Sequence, residues 1–484
     1  MNVLETWNVS VGGVLLVILC TYILGGKLLR LYLFDSSNSF LRHRPVVQVV
    51  VLGDIGRSPR MRSHAVQLAD AGCIVDLIGY VETHPTSRIT THRSIRVRRL
   101  RPAFSLPEKF PKLIYILWAP FKAIWIALQL AWVMNCITQT PEYIFIQNPP
   151  AIPTLAIARW TSCLRGAKLV IDWHNFGYSI LKVKLGQSWI VRIAQRYEQY
   201  FGNTAYCHLT VTDRMHKELT NWNVKGKIVT FKDSPPYHFK RLSTKEVHDF
   251  FVGFRLQDIV KKETLDANEF LGRQPYSPNE TLMTLNGNEC VSRQDRPKLI
   301  VSSTSWTEDE DFGLLLKAVE IYEEKAKKDK GYPKLLFVIT GKGPLKSVYE
   351  ERISRMKLQK TRVVTVWLES NDYPLLLGSA DLGISLHTSS SGMDLPMKVV
   401  DMFGCGLPVC AVDFECLHEL VEDGKNGLVF QTGEELAEKL EILFVKDDLL
   451  LNSLRENVVT EYASKRWERQ WRSIVQGLFL TPAS

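Results

Sequence analysis

Apolar and polar positions along the chain alternate between two rhythms. Val46 to Leu52 is an almost unbroken β-rich apolar run, the chain turns over Gly53 to Pro59, and apolar residues then recur at helical spacing until a second buried run at Cys73 to Ile78. A run apolar on both faces, closed by a polar loop and followed by a helix, predicts a βαβ unit of a parallel sheet. The stretches "YIFIQNPPAIPTLAIARW", "KLVIDWHNFGYS" and "HLTVTD" repeat strand and polar loop, so residues 45–239 are expected to form one Rossmann-like domain. Residues 240–296 lose the rhythm: they are polar, turn-rich and weakly periodic, which predicts a linker or surface insertion. The rhythm restarts with "PKLIVSSTSWTEDEDFGLLLKAVE", "KLLFVITGKGPL", "RVVTVWLES", "ADLGISLHTSSS" and "GLPVCAVDF", giving a second Rossmann-like domain over 297–460, with an amphipathic tail over 461–484. The fold class is therefore α/β, with two similar domains facing a cleft.

Two further apolar stretches alter this picture. Thr6 to Gly26 carries no charge, and about 20 such residues span a bilayer. Lys27, Arg30, Arg42 and Arg44 follow it while only Glu5 precedes it, which predicts a single-pass anchor within residues 1–44 and the remaining chain in the cytosol. A cleaved signal peptide would place its basic charge on the other side. Leu113 to Pro141 has Lys122 as its one charge, yet it holds Pro120, Gln129 and Asn135 and lies between strands of one sheet; helices packed on that sheet, with some contact to a membrane surface, are expected.

The 60 Lys and Arg exceed the 51 Asp and Glu by nine, with a cluster at Arg93 to Arg101. That mild excess suits a membrane surface or anionic substrate and argues against a nucleic-acid binder. Nine scattered cysteines without a CxxC pair predict reduced thiols and no zinc site. The sequons at Asn8 and Asn279 are expected to stay unmodified, one abutting the membrane and the other cytosolic.

Candidate chemistry gathers at strand-end loops. In "HTSSSGMDLPMK", His387, Ser390, Ser391, Gly392 and Asp394 lie beyond a strand, and Lys398 and Asp401 share a face of the helix that follows. Small hydroxyls, backbone amides and a lysine at a helix start suit a diphosphate, and Asp401 suits two ribose hydroxyls. In "TGKGPL", Gly341 and Gly343 permit close backbone approach and Lys342 adds charge. Asp309-x-Asp311 reads as an acidic helix start and not as a metal pair. The first domain offers Asp54 and His174 as alternatives for a general base, with Arg57, Arg60 and Asp172 toward an acceptor. No cofactor motif is recognisable, and the sequence leaves divalent-metal dependence open.

The motifs "GDIGRSPRM", "IDWHNFGYS", "SSTSWTEDEDF", "ITGKGPL", "DYPLLLGSADLG", "HTSSSGMDLPMKVVDMFGCGLPVCAV" and "HELVEDGKNGLVF" together resemble the chitobiosyldiphosphodolichol β-mannosyltransferase family, from about residue 45 onward except over 240–296. The resemblance implies a GT-B fold with the acceptor on the first domain, GDP-mannose on the second, and a tail helix crossing back to the first. It implies inverting transfer of the first mannose of the N-glycan precursor, β-1,4, to dolichyl-diphosphate chitobiose at the endoplasmic reticulum membrane, in a complex with later mannosyltransferases. The chain departs from broader GT-B transferases in lacking the upstream glutamate of the donor loop, where Asp394 is near but out of register, and in lacking the arginine and lysine that retaining relatives carry after the first donor-domain strand. A GT-B-like sugar-nucleotide epimerase and an inactive membrane-bound scaffold for other glycosyltransferases are the alternatives. The anchor disfavours the first, and the retained polar residues disfavour the second.

Overall fold

The structure is a computed structural model that describes residues 44–102, 112–254, 270–271, 280–287, 289–369, 371–389, 392–446 and 448–480. The expected anchor at Thr6 to Gly26, both sequon asparagines, Ser390 and Ser391 lie outside these residues. The chain divides into two compact units, one of residues 1–232 with 471–484 and one of residues 233–470.

The first unit is built on seven parallel strands: β1 (Val46–Asp54), β2 (Ile74–Tyr80), β3 (Ile95–Arg99), β4 (Tyr143–Asn148), β5 (Lys168–Trp173), β6 (Thr204–Thr210) and β7 (Lys225–Thr230), in the order β3-β2-β1-β4-β5-β6-β7. The order reverses between β1 and β4, and loops at the carboxyl ends of strands beside such a switch point are where open α/β sheets bind ligands. Gln48, fully buried in the middle of β1, is compatible with that apolar run because its amide donates to Met134 O at 2.9 Å and Thr138 Oγ1 at 2.7 Å.

Those two acceptors end the long apolar segment of the sequence, which forms a helix at Lys112–Trp132 continued by a wider turn at Val133–Ile137. Its later part packs on the sheet through Leu130, Ala131 and Met134, whereas Phe121, Ile124 and Trp125 are exposed. By length and composition Pro120–Ile137 could cross a membrane, but β3 and β4, which flank it in sequence, belong to one sheet.

The second unit carries six parallel strands: β10 (Lys298–Ser303), β11 (Leu335–Thr340), β12 (Thr361–Val366), β13 (Leu382–Ser385), β14 (Val409–Val412) and β15 (Gly427–Phe430), ordered β12-β11-β10-β13-β14-β15. Successive residues serve opposite faces, as the pleat requires. Leu299, Val301 and Val338 join one apolar cluster, and Ile300, Phe337 and Ile339 the other.

The reading of 240–296 as a linker or surface insertion is corrected here. Its described parts form a helix at Thr244–Phe254 and a hairpin of β8 (Met283–Asn286) and β9 (Glu289–Ser292), and Val247, Phe251, Phe270, Leu271, Leu282 and Met283 are buried in the core of the second unit. Val247, Phe250, Phe251 and Phe254 recur at helical spacing, and each fully buried side chain of this size stabilises by roughly 2–3 kcal/mol. At the far end, the chain returns to the first unit at Trp471, and Phe479 packs 5.0 Å from Tyr143 and 5.5 Å from Phe145 between ring centroids.

Candidate functional site

In the first unit, the strand β5 ends on Asp172 and Trp173, and His174 follows. Alternation along the strand puts Asp172 and His174 on one face, and His174 Nε2 lies 2.8 Å from Asp172 Oδ2. Asp172 is fully buried, while His174 is 24% exposed. Arg60, near the start of the helix Pro59–Asp70, donates to both carboxylate oxygens, Nε to Oδ2 at 2.8 Å and Nη2 to Oδ1 at 2.9 Å. Its guanidinium also bonds Phe231 O at 3.1 Å and lies 4.8 Å from the Phe231 ring centroid. Burial would raise the Asp172 carboxyl, but the Arg60 charge, then the His174 contact, outweigh it and hold the group well below the usual range. Arg60 and Asp172 therefore do not reach toward an acceptor as the sequence suggested. The helix turns its arginine inward, 5% exposed, and the two neutralise each other beneath His174.

The loop that carries His174 is held from a second side by a group the sequence reading passed over. Glu198, fully buried, accepts from Gly177 N at 2.9 Å, Tyr178 N at 3.1 Å and Asn148 Nδ2 at 2.5 Å, capping the helix Gly177–Leu185. Burial raises its carboxyl above the ordinary value despite those bonds. The signal for it was a lone glutamate on the apolar face of the helix Trp189–Gly202.

Asp54 is placed differently. Its carboxylate accepts from the backbone amides of Gly56, Glu82 and Thr83 and from the Thr83 hydroxyl at 2.5 Å. Burial pushes the group up, but the bonds from Thr83, Glu82 and Gly56 prevail and leave it below the ordinary carboxylate value. A carboxylate so occupied is a weak proton acceptor that fastens the loop. Arg57 is 78% exposed and 3.6 Å from Asp54 Oδ2, free to reach outward.

In the second unit, the loops after β10, β11 and β13 meet. Gly341 has φ of +147°, and a Cβ there would sit 1.8 Å from Thr304 O; one at Gly343 would sit 1.7 Å from Ser305 O. The close approach that these glycines permit is thus to the neighbouring loop. Lys342 is exposed, with Nζ 3.8 Å from the centroid of the Trp367 ring. The acidic loop divides its labour: Asp311 caps the helix Phe312–Lys328 by accepting from Gly313 N at 2.8 Å, a contact worth about 1 kcal/mol. Glu310 turns inward, accepting from Thr304 Oγ1 at 2.5 Å, Ser305 N at 2.6 Å and Lys398 Nζ. Lys398 is 27% exposed, so its ammonium remains accessible while its direction is set by Glu310. Sequence reasoning missed Glu310 because its partner lies 88 positions away.

Thr388 N and Oγ1 both donate to Asp309 O, at 3.2 and 2.8 Å, joining the acidic loop to the serine-rich one. His387 lies between two carboxylates, Nδ1 3.7 Å from Asp309 Oδ2 and Nε2 3.9 Å from Asp394 Oδ2. Asp394 also accepts from the Ser389 hydroxyl; burial raises it, and His387 and Ser389 more than reverse that. Gly392 adopts φ of +70°. Asp401, one turn beyond Lys398, is held well above the ordinary carboxylate value by burial and then by the Asp233 charge. That shift weakens its carboxylate as the hydrogen-bond acceptor expected for ribose hydroxyls. Among the described residues no group of three His, Cys, Asp or Glu is placed to hold a metal ion, and none of the eight described cysteines is in a disulfide.

Comparison with known proteins matches residues 291–462 to the family described as "Glycosyl transferases group 1" and residues 56–232 to "Glycosyl transferase 4-like domain". The Mus musculus protein named "Chitobiosyldiphosphodolichol beta-mannosyltransferase" is 44% identical over 88% of this chain and 87% of its own length. "UDP-glycosyltransferase TURAN" of Arabidopsis thaliana is 43% identical over 89% of this chain and 96% of its own. Among solved structures, Anabaena HepE in complex with UDP and glucose is similar in fold, with a TM-score of 0.56 at 14% identity over 89% of this chain and 98% of that one.

Proposed function

As the chain belongs to the chitobiosyldiphosphodolichol beta-mannosyltransferase family and is an α/β enzyme of GT-B architecture that performs dolichol-linked mannosyl transfer, we propose that GDP-mannose is its donor and His174 its general base. The acceptor is dolichyl-diphosphate chitobiose. Its 4-hydroxyl attacks C1 of the α-linked mannose, the hydroxyl proton passes to His174, and the C1–oxygen bond breaks with its electron pair leaving on GDP. One displacement inverts the centre and yields the β-1,4 product.

The observation that carries this reading is the partly exposed imidazole bonded through one nitrogen to a buried carboxylate whose pKa is held well below the usual range. Asp172 accepts a hydrogen bond from Nε2–H, so Nδ1 keeps the lone pair that a base requires, and the adjacent charge stabilises the imidazolium that forms. Asp54 has no comparable lone pair to spare. In the second unit, Lys398 and Lys342 are assigned to the leaving diphosphate, with the Gly341 to Gly343 turn, His387, Gly392, Asp394 and Asp401 around the sugar nucleotide; Ser390 and Ser391 complete the proposed loop. Arg57 is the arginine left to meet the acceptor diphosphate.

The proposed setting is the cytosolic face of the endoplasmic reticulum membrane. The uncharged Thr6 to Gly26 supports a tether, and exposed Phe121 and Trp125, with Trp189 and Ile193 on another helix of the same unit, support a second apolar contact with the lipid. Association with later mannosyltransferases is part of this proposal and is tested by co-purification from membranes.

The deciding experiment follows mannosylated lipid from GDP-mannose and lipid-linked chitobiose with the full-length enzyme. His174→Ala is expected to lose about 10²–10⁴ in kcat, and Asp54→Asn much less. A His174→Ala enzyme near the wild-type rate would show that the base lies elsewhere. A second donor reading rests on the name of the Arabidopsis relative: product from a UDP-sugar at a higher kcat/KM than from GDP-mannose would favour it.

A further inference from the structure

The carboxylate beneath His174 has a third neighbour, and that neighbour answers to the far end of the chain. His64, on the helix Pro59–Asp70, is fully buried, its ring 4.7 Å edge-on from Phe145. Its Nε2 lies 3.4 Å from Asp172 Oδ2. On its other side, Trp471 Nε1 donates to His64 Nδ1 at 2.9 Å, from a buried indole on the helix Trp467–Ile474.

An indole N–H can only donate. Nδ1 of His64 must therefore be the bare nitrogen, and the proton of the neutral ring must sit on Nε2, the nitrogen 3.4 Å from Asp172 Oδ2, in a contact that does not meet hydrogen-bond geometry. Burial, set against the Asp172 contact, lowers the His64 pKa to about 4, so the ring stays neutral at working pH. Asp172 Oδ2 then receives Arg60 Nε and His174 Nε2, and the polar Nε2 edge of His64 lies 3.4 Å away without closing a hydrogen bond.

We infer that Trp471 and His64 are positioning residues for the transfer reaction: the indole of the C-terminal segment selects the His64 tautomer whose Nε2–H lies against Asp172, and this N–H dipole holds the carboxylate so that His174 is kept as its Nε2–H form with Nδ1 free. The inference rests on the assignment of His174 as base and extends it to two residues that touch neither substrate. Arg60 supplies the charge; His64, one turn along the same helix, adds a polar N–H edge at the same carboxylate oxygen without adding charge.

Glutamine at position 64 reproduces the needed pattern, a carbonyl to accept from the indole and an amide to donate to Asp172. Leucine fills the same apolar pocket with neither. Full-length His64→Gln is expected to keep kcat within about threefold of wild type and His64→Leu to lose roughly tenfold to a hundredfold, both with an unchanged donor KM; Trp471→Phe is expected to fall between them. In a His174→Ala background, His64→Leu is expected to cost nothing further. A leucine variant as active as the glutamine variant, or losses that simply add to that of His174→Ala, would overturn the inference in favour of packing alone. The imidazole ¹⁵N spectrum of His174 reads the same point without catalysis. One Nε2–H tautomer in wild type and His64→Gln, with a mixture in His64→Leu, supports positioning, and identical spectra in all three overturn it. If His174→Ala keeps the wild-type rate, the base assignment falls by itself, and the spectra still decide whether Trp471 and His64 position the ring.

Discussion

The two units share a doubly wound plan, but their candidate sites handle charge in opposite ways. The first buries a complete ionic group, Arg60 with Asp172, and lets only the edge of His174 reach the surface. The candidate site of the second unit keeps its lysines toward the surface, Lys342 against a tryptophan face and Lys398 steered by a buried glutamate, while an ion pair that this unit buries, Arg296 with Asp381, is formed by other residues. The difference follows from the two tasks proposed for them. Taking a proton from a hydroxyl needs one nitrogen of defined orientation, which a dry and rigid support provides; countering a leaving diphosphate needs accessible positive charge, which burial would make costly.

The comparison breaks most visibly if the buried pair is halved. Arg60→Met leaves Asp172 charged or forces it to take up a proton, and unfolding in denaturant is expected to show a loss of roughly 3–5 kcal/mol, with hydrogen exchange rising in β4 and β5 and little changed in β10 and β11. Uniform loosening of both sheets would contradict the division. Next in size, Lys398→Ala is expected to lower kcat by about 10²–10³, with less effect on unfolding than Arg60→Met, since the residue lies partly in solvent. Activity close to wild type would remove Lys398 from the leaving-group role.

Acid should separate the units more gently. His64 and His208, both in the first unit, have folded pKa values lowered to about 4 by burial, against 6.5 when unfolded. Between those values the unfolded chain binds protons that the folded chain refuses, so stability is full above about pH 6.5 and is lost as pH falls toward 4. From pH 7 to 5 the expected loss is about 2 kcal/mol for each histidine, read as loss of exchange protection in β4 to β6. An equal loss in β10, β11 and β13 would refute the assignment. Smallest of all, Trp367→Ala removes an exposed cation–π contact worth roughly 0.5–1 kcal/mol, and is expected to raise donor KM a few-fold with unfolding unchanged; an unaltered KM would show that Lys342 needs no such support.

Much of the fold was legible in the sequence for a physical reason: strands covered on both faces must be apolar throughout, and "VVQVVVL" and "KLLFVI" announce themselves against their polar loops. The segment 240–296 was not, because its core residues sit thinly among polar ones, and Phe250 and Phe251 take meaning only beside a sheet that begins at Lys298. The candidate residues were recognised by type and loop position, which pattern can supply. Their direction was not. Arg60 reads as a solvent-facing loop cation until the helix Pro59–Asp70 rotates it under β5, and Glu310 reads as one of several capping acids until Lys398 is brought to it by strand order. Partners distant in sequence are set by topology, and a linear pattern holds no term for them.

The return of the chain at Trp471 bears on how the protein is made. The second unit is one continuous segment, Asp233–Gln470, whereas the first draws its final pieces from residues 471–484, which are synthesised after that segment. On the ribosome the first unit must therefore wait, with seven strands emerged and the His64 pocket open, while the whole second unit is translated, roughly ten to fifty seconds at about 5–20 residues per second. During that interval the faces of Tyr143 and Phe145 that later receive Phe479 are uncovered, and a nascent chain with uncovered apolar surface is a client for chaperones. A premature stop just before Trp471 would spare the second unit and strand the first in this waiting form, so such a lesion is expected to appear as chaperone retention and degradation ahead of any defect in donor binding.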